Sequence, residues 1–150
     1  KILRPFECKV LANDILELAD LKNHIFFTDK NTIYAEADFI SIHTPLNKET
    51  CDLIDLGALK KMKKTAFLIN TARGGIVNQD DLKDALKNGI IAGAALDVYD
   101  SEPPKDLELL QLPNLICTPH TGGNANEAVI AMGMSAIEHL NQYKQSNKLV

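Results

Sequence analysis

Short, almost wholly apolar runs recur along this chain, each followed by a helix-like stretch, and that alternation narrows the available folds more than any other feature. The clearest runs are Phe39-Ile40-Ser41-Ile42-His43, Thr65 to Asn70, Ile90 to Val98, and Leu115-Ile116-Cys117-Thr118. Cys8 to Ala12 reads as an earlier strand ending at Asn13-Asp14, and His24 to Phe27 as a short second one. A strand wet on one face alternates apolar with polar residues, and most of these do not. Strands of this kind interleaved with helices predict an α/β fold with a parallel sheet covered on both faces. Between them, Asp29 or Asn31 is placed to cap a helix through Ala37, and Asp55 one through Met62 with lysines at its end. Asn78 caps Gln79 to Lys87, and Gly89 stops that helix. A long helix from about Asn126 to Tyr143 brings Val129, Met132, Ala136 and Leu140 near one face, with Met132 and Met134 expected in the core. Gln145 to Val150 reads as a polar tail.

Composition excludes several classes of function. The 150 residues are 45% apolar, enough for one buried core, and carry a net charge of −4. No basic excess is present to hold a nucleic-acid backbone or an anionic membrane. The longest apolar stretch, Ile90 to Val98, is about half of the ~18 residues that a membrane-spanning helix needs. No charged-then-apolar leader opens the chain, so no export signal is expected. Cys8, Cys51 and Cys117 are too few and too far apart for a disulfide scaffold or a zinc knuckle. They read as reduced, mostly buried thiols in a cytoplasmic protein.

In open parallel sheets, ligands bind beyond the carboxyl ends of the strands. Five such ends here carry polar or ionisable residues: Asp14; His43-Thr44-Pro45-Leu46; Asn70 to Gly75; Asp97 to Pro104; and Thr118 to Gly123. Asp14 offers two acceptor oxygens suited to a ribose diol, although on position alone a cap or a solvated turn weighs more. Arg73, beside Gly74-Gly75, is placed to clamp a carboxylate through two parallel hydrogen bonds; a surface ion pair is the plainer alternative. His120 sits in a Pro-His-Thr-Gly-Gly turn, where an imidazole can give and take a proton, and Glu102 is a candidate to orient it. Asp97 ends a strand of small residues and needs a partner if buried, for which an amide NH₂ would serve. Asp100, the lysines at 60, 61, 63 and 64, and the histidines at 24, 43 and 139 have plainer readings as solvated or packed groups.

Three segments carry a resemblance to a known family: Ile69-Asn70-Thr71-Ala72-Arg73-Gly74-Gly75, Ala94-Ala95-Leu96-Asp97-Val98 and Thr118-Pro119-His120-Thr121-Gly122-Gly123. In this order they resemble the D-isomer-specific 2-hydroxyacid dehydrogenases, and the likeness runs from about Lys9 to Leu140. It implies a Rossmann-type doubly wound parallel sheet that binds NAD. It implies that Arg73 holds the substrate carboxylate and polarises its carbonyl, and that His120, paired with Glu102, is the acid/base. Asp14 would then bind the adenosine ribose and Asp97 the nicotinamide carboxamide. Thr44, Pro45 and Thr50 match positions lining the cofactor, Thr71 and Ala72 contribute backbone near the nicotinamide, and Gly122 closes over the ring. The implied substrate is a small 2-hydroxy or 2-oxo acid, and the implied assembly a homodimer.

The family's Gly-x-Gly-x-x-Gly turn and the strand before it are absent from these residues, and Lys1 to Phe6 reads as the tail of the helix that follows them. The expected organisation is therefore an incomplete Rossmann domain over residues 1–144, belonging to a longer protein and inactive as a lone chain. The missing strand is the central one of a 3-2-1-4-5-6 order, so its two neighbours should stand unpaired. A competing reading is a dinucleotide-sensing corepressor, which shares the Arg, Glu and His but would not turn over substrate.

Overall fold

The computed structural model describes residues 6–16 and 25–146. His24, residues 1–5 of the expected helix tail, and the last four residues lie outside them. The elements run β1 (Leu11–Ala12), β2 (Phe26–Phe27), α1 (Lys30–Glu36), β3 (Phe39–Ile42), α2 (Leu56–Leu59), β4 (Phe67–Asn70), α3 (Gln79–Lys87), β5 (Gly93–Leu96), α4 (Leu107–Leu110), β6 (Leu115–Cys117) and α5 (Asn126–Ser146). The strands are shorter than the apolar runs that announce them. Apolar residues flanking a strand are buried in the approaching loops without joining the ladder, as Ile91 and Val98 are around β5.

All strand pairings are parallel, and they form two sheets. One is the pair β1-β2; the other has the order β3-β4-β5-β6. No ladder joins β1 to β3 among the described residues. A side-chain bond from Lys9 to Glu36 at 2.9 Å ties β1's approach to α1. In the larger sheet the register is regular: Phe39 lies opposite Phe67 and Phe67 opposite Gly93, so Ile42, Asn70 and Leu96 come level at the carboxyl end.

That register sends alternate side chains to one face. Ile40, Ile42, Leu68, Ala94 and Leu96 join a single buried cluster with Ala58 and Leu59 of α2, Leu82, Ala85 and Leu86 of α3, and Leu109 of α4. Helices α1 to α4 each start where a side chain accepts an otherwise orphaned amide proton. Asp29 accepts from Thr32 N–H at 3.0 Å, Asp55 from Ala58 at 2.7 Å, Asn78 from Asp81 at 3.0 Å and Asp106 from Leu109 at 3.0 Å. The choice left open between Asp29 and Asn31 thus falls to Asp29.

The second face departs from expectation. Phe39 is 68% exposed and Ile116 69%, and the rings of Phe39 and Phe67 stack at 5.5 Å on that side. Among the described residues, helices cover the sheet on one face only. Helix α5 buries none of its residues, so Met132 and Met134 are exposed and not in the core. It also continues through Ser146, into the stretch read as a tail. The thiols differ too: Cys8 and Cys51 are exposed and Cys117 is partly buried, and all three are free. Periodicity reveals which residues want burial; it does not say whether a partner surface is there to bury them.

Candidate active site

The carboxyl ends of β3, β4, β5 and β6 stand side by side, and each releases a loop onto the same rim. Asn70, 1% exposed at the end of β4, shapes the first loop. Its amide donates to Arg73 O at 2.9 Å and its carbonyl accepts Ala72 N–H at 3.0 Å, which folds residues 71–73 back on the strand. Gly74 follows because nothing larger fits: a Cβ there would lie 1.9 Å from Tyr99 O. Gly75 has φ +75°, the left-handed region, and its N–H donates to Asp100 at 2.7 Å. Asp100 is exposed, as expected, and is also engaged from the next loop. Burial pushes its carboxyl above the usual range, the Gly75 N–H opposes this, and the nearby Asp52 and Asp80 charges add to it.

Arg73 emerges from this turn exposed, and its guanidinium makes no ion pair among the described residues. Nη1 donates to Ala72 O at 2.6 Å, which leaves most of its donors unengaged. It lines a cavity of about 640 Å³ with His43, Thr44, Pro45, Leu46, Thr71 and Ala72. Thr44 Oγ1 is buried there without any hydrogen-bond partner. An unmet buried hydroxyl costs about 1–3 kcal/mol, which a polar group entering the cavity would relieve. Thr50 braces the cavity's outer loop: its hydroxyl donates to Pro45 O at 2.6 Å and accepts Asn47 N–H at 2.8 Å.

The loops after β5 and β6 are bound to each other. Asp97, 5% exposed, receives the Thr118 hydroxyl and the Thr121 and Gly122 amides, the last two at 2.8 Å. Burial alone would raise its pKa, but these donors win and hold the carboxyl below the usual carboxylate range. Gly122 is needed for the approach, since a Cβ would meet Asp97 Oδ2 at 2.8 Å. Within this loop His120 has φ +53°, a conformation that costs a non-glycine residue free energy and persists only when neighbours enforce it. Its Nδ1 meets Glu102 Oε2 at 2.8 Å, and that bond lowers the Glu102 pKa. With Nδ1 so engaged, Nε2 is the ring nitrogen left to face a reactant.

A family model described as "D-isomer specific 2-hydroxyacid dehydrogenase, NAD binding domain" matches residues 1–122. The chain belongs to the D-isomer specific 2-hydroxyacid dehydrogenase family. A glyoxylate reductase of Thermofilum pendens is 44% identical over 144 residues, 93% of this chain and 42% of that protein. A glycerate dehydrogenase of Methylorubrum extorquens is 41% identical over 138 residues, 90% of this chain and 42% of the relative. The NAD-complexed D-isomer specific 2-hydroxyacid dehydrogenase of Lactobacillus delbrueckii ssp. bulgaricus superposes with a TM-score of 0.82 at 32% identity, over 98% of this chain and 48% of that one. The chain thus spans less than half the length of these relatives, and the matched part is the dehydrogenase's NAD-binding domain.

As residues of such a domain, Thr44, Pro45, Thr71, Ala72 and Arg73 are brought together in one cavity. Asp97, Glu102, His120 and Gly122 form a second group on the adjoining loops. Asp14 stands apart at the end of β1, in the smaller sheet, and its carboxylate accepts the Leu16 N–H at 2.9 Å. The cavity's orphaned Thr44 hydroxyl and unpaired guanidinium fit a ligand with polar and anionic groups, as a dinucleotide is. Sequence reasoning gave Asn70 and Tyr99 no individual role and read Asp100 as solvated, yet all three hold the loops; an Asn closing an apolar strand before a Gly-Gly turn was the available signal for the first.

Proposed function

We propose that this chain is the cofactor-binding and proton-transferring part of an enzyme that moves a hydride between NAD and a small 2-hydroxy or 2-oxo acid. NAD, when bound, supplies or accepts the hydride. Thr44, Pro45, Thr71 and Ala72 would line its nicotinamide end, Thr50 would support that wall, and Gly122 and Asp97 would lie at the carboxamide. Asp14 would take the ribose once its turn bond to Leu16 is exchanged. Arg73 would grip the acid's carboxylate with the planar fork that its lack of an ion pair leaves available. His120 would deliver a proton from Nε2 to the substrate oxygen as it becomes an alkoxide, and take it back in the oxidising direction. Glu102 would keep Nδ1 protonated, fixing the tautomer and balancing the imidazolium charge. A homodimer in a reducing cytoplasm is part of the same reading.

The observation that carries this reading is the Glu102–His120 pair at 2.8 Å, with His120 at an enforced positive φ and Tyr99 linking Glu102 to the Gly74 turn that follows Arg73. The test uses a polypeptide that supplies these residues together with the remaining length of the relatives. NADH oxidation is followed with glyoxylate, hydroxypyruvate and pyruvate. His120→Gln should lower kcat by about 10²–10⁴-fold while NADH affinity changes little. Unchanged turnover in that variant would remove the proton-transfer assignment. NADH binding without turnover on any of the three acids would favour a sensor.

A further inference from the structure

Tyr99 is 6% exposed and is wedged where the loops after β4, β5 and β6 meet. Its hydroxyl donates to Thr118 O at 2.9 Å, with Leu96 O as a second acceptor at 3.2 Å. Its N–H donates to Glu102 Oε1 at 3.3 Å. Its carbonyl oxygen fills the space that a side chain on Gly74 would need. One residue therefore touches the turn that carries Arg73, the carboxylate that pairs with His120, and the segment entering the His120 turn.

We propose that Tyr99 is a positioning residue of this site, its phenol hydroxyl holding the Thr118 carbonyl so that His120 meets Glu102 in register. The strained φ of His120 makes such a hold necessary. Asp97 takes the amides of Thr121 and Gly122 on the downstream side, and Tyr99 takes the carbonyl of Thr118 on the upstream side. The turn is thereby clamped on both flanks of the strained residue. Because the same tyrosine's N–H steadies Glu102, both members of the pair are referred to one rigid, buried point. Burial, with Cys117 and Asp97 nearby, raises the phenol's pKa, so the hydroxyl stays a donor throughout the working pH range.

The inference rests on reading Glu102–His120 as the acid/base pair, but its test needs no substrate. Tyr99→Phe keeps the ring's volume and the N–H to Glu102 and deletes only the hydroxyl. Two quantities are read by NMR on the same longer polypeptide, without substrate or NADH: the Glu102 carboxyl titration and the fraction of His120 held as the Nδ1–H tautomer. Tyr99→Phe should move the Glu102 midpoint up toward an ordinary glutamate and weaken the Nδ1–H preference by about fivefold, the scale of one lost hydrogen bond. In a Glu102→Gln background the same change should leave the tautomer ratio where Glu102→Gln alone put it. A variant that melts at a lower temperature but keeps both signals of the parent would show a purely structural tyrosine and overturn the proposal. So would an equal tautomer change with and without Glu102. Absence of turnover on 2-oxo acids would overturn the functional reading and leave this one standing.

Discussion

At the scale of single residues, the site depends on contacts that leave no room for change. Gly74 faces the Tyr99 carbonyl so closely that even a methyl group must displace backbone. Gly74→Ala should therefore cost about 1–3 kcal/mol by overpacking, read as a lower denaturation midpoint, and should loosen the Arg73 turn. Gly123 is the contrasting case, with nothing within 4 Å of an added Cβ. Gly123→Ala should change stability by no more than about half a kcal/mol. Equal losses in the two variants would mean that the Gly74 contact is not what limits packing.

At the scale of elements, helix α3 shows how sequence becomes architecture. Asn78 accepts the Asp81 amide at its start, Asp80 and Asp81 occupy the first turn and Lys87 the last, which suits the helix dipole. Asn78 also donates to Asp52 at 3.1 Å, linking the helix to the loop before α2. Asn78→Ala should destabilise by about 1 kcal/mol, seen in chemical denaturation with an unchanged slope. Strand β4 depends on burial instead. Leu68 is fully buried between the helices, and Leu68→Ala should cost about 2–5 kcal/mol through lost transfer energy and a residual cavity. A cost below ~1 kcal/mol would show that the sheet's helix-covered side collapses around the gap.

At the scale of the whole molecule, the carboxylates set the acid limit. Glu102 is held low by His120, and Asp106 by Lys83. Asp97 is also low, its burial penalty outweighed by three donors. A carboxyl whose folded pKa lies below its unfolded value of about 4 adds stability above that value and loses it as pH falls through the folded one. Asp100 has the opposite sign, because its raised pKa means that protonation relieves the fold as pH drops. The melting temperature should thus hold steady or rise slightly on acidification from neutrality, and then fall below about pH 4. Asp106→Asn should remove part of that acid limb by dissolving the 2.6 Å contact with Lys83. A variant whose melting temperature keeps the full acid-dependent fall would show that the Lys83 contact is not a source of it.

Local chemistry determined much of this protein before any tertiary contact. Apolar runs longer than the strands they contain, three side-chain caps and the Asn-Thr-Ala-Arg-Gly-Gly, Leu-Asp-Val and Pro-His-Thr-Gly-Gly segments identify a parallel α/β sheet and the residues at its rim. These signals are legible because backbone geometry and capping act over a few neighbouring residues. Tertiary structure alone decided what the signals leave free. It set which face of the sheet is covered, because burial requires a partner surface that periodicity does not contain. It left Met132, Met134 and two thiols exposed where composition pointed inward. It also made Tyr99 and Asp100 into supports of the site, since their partners lie on turns and strands that meet only when the sheet assembles.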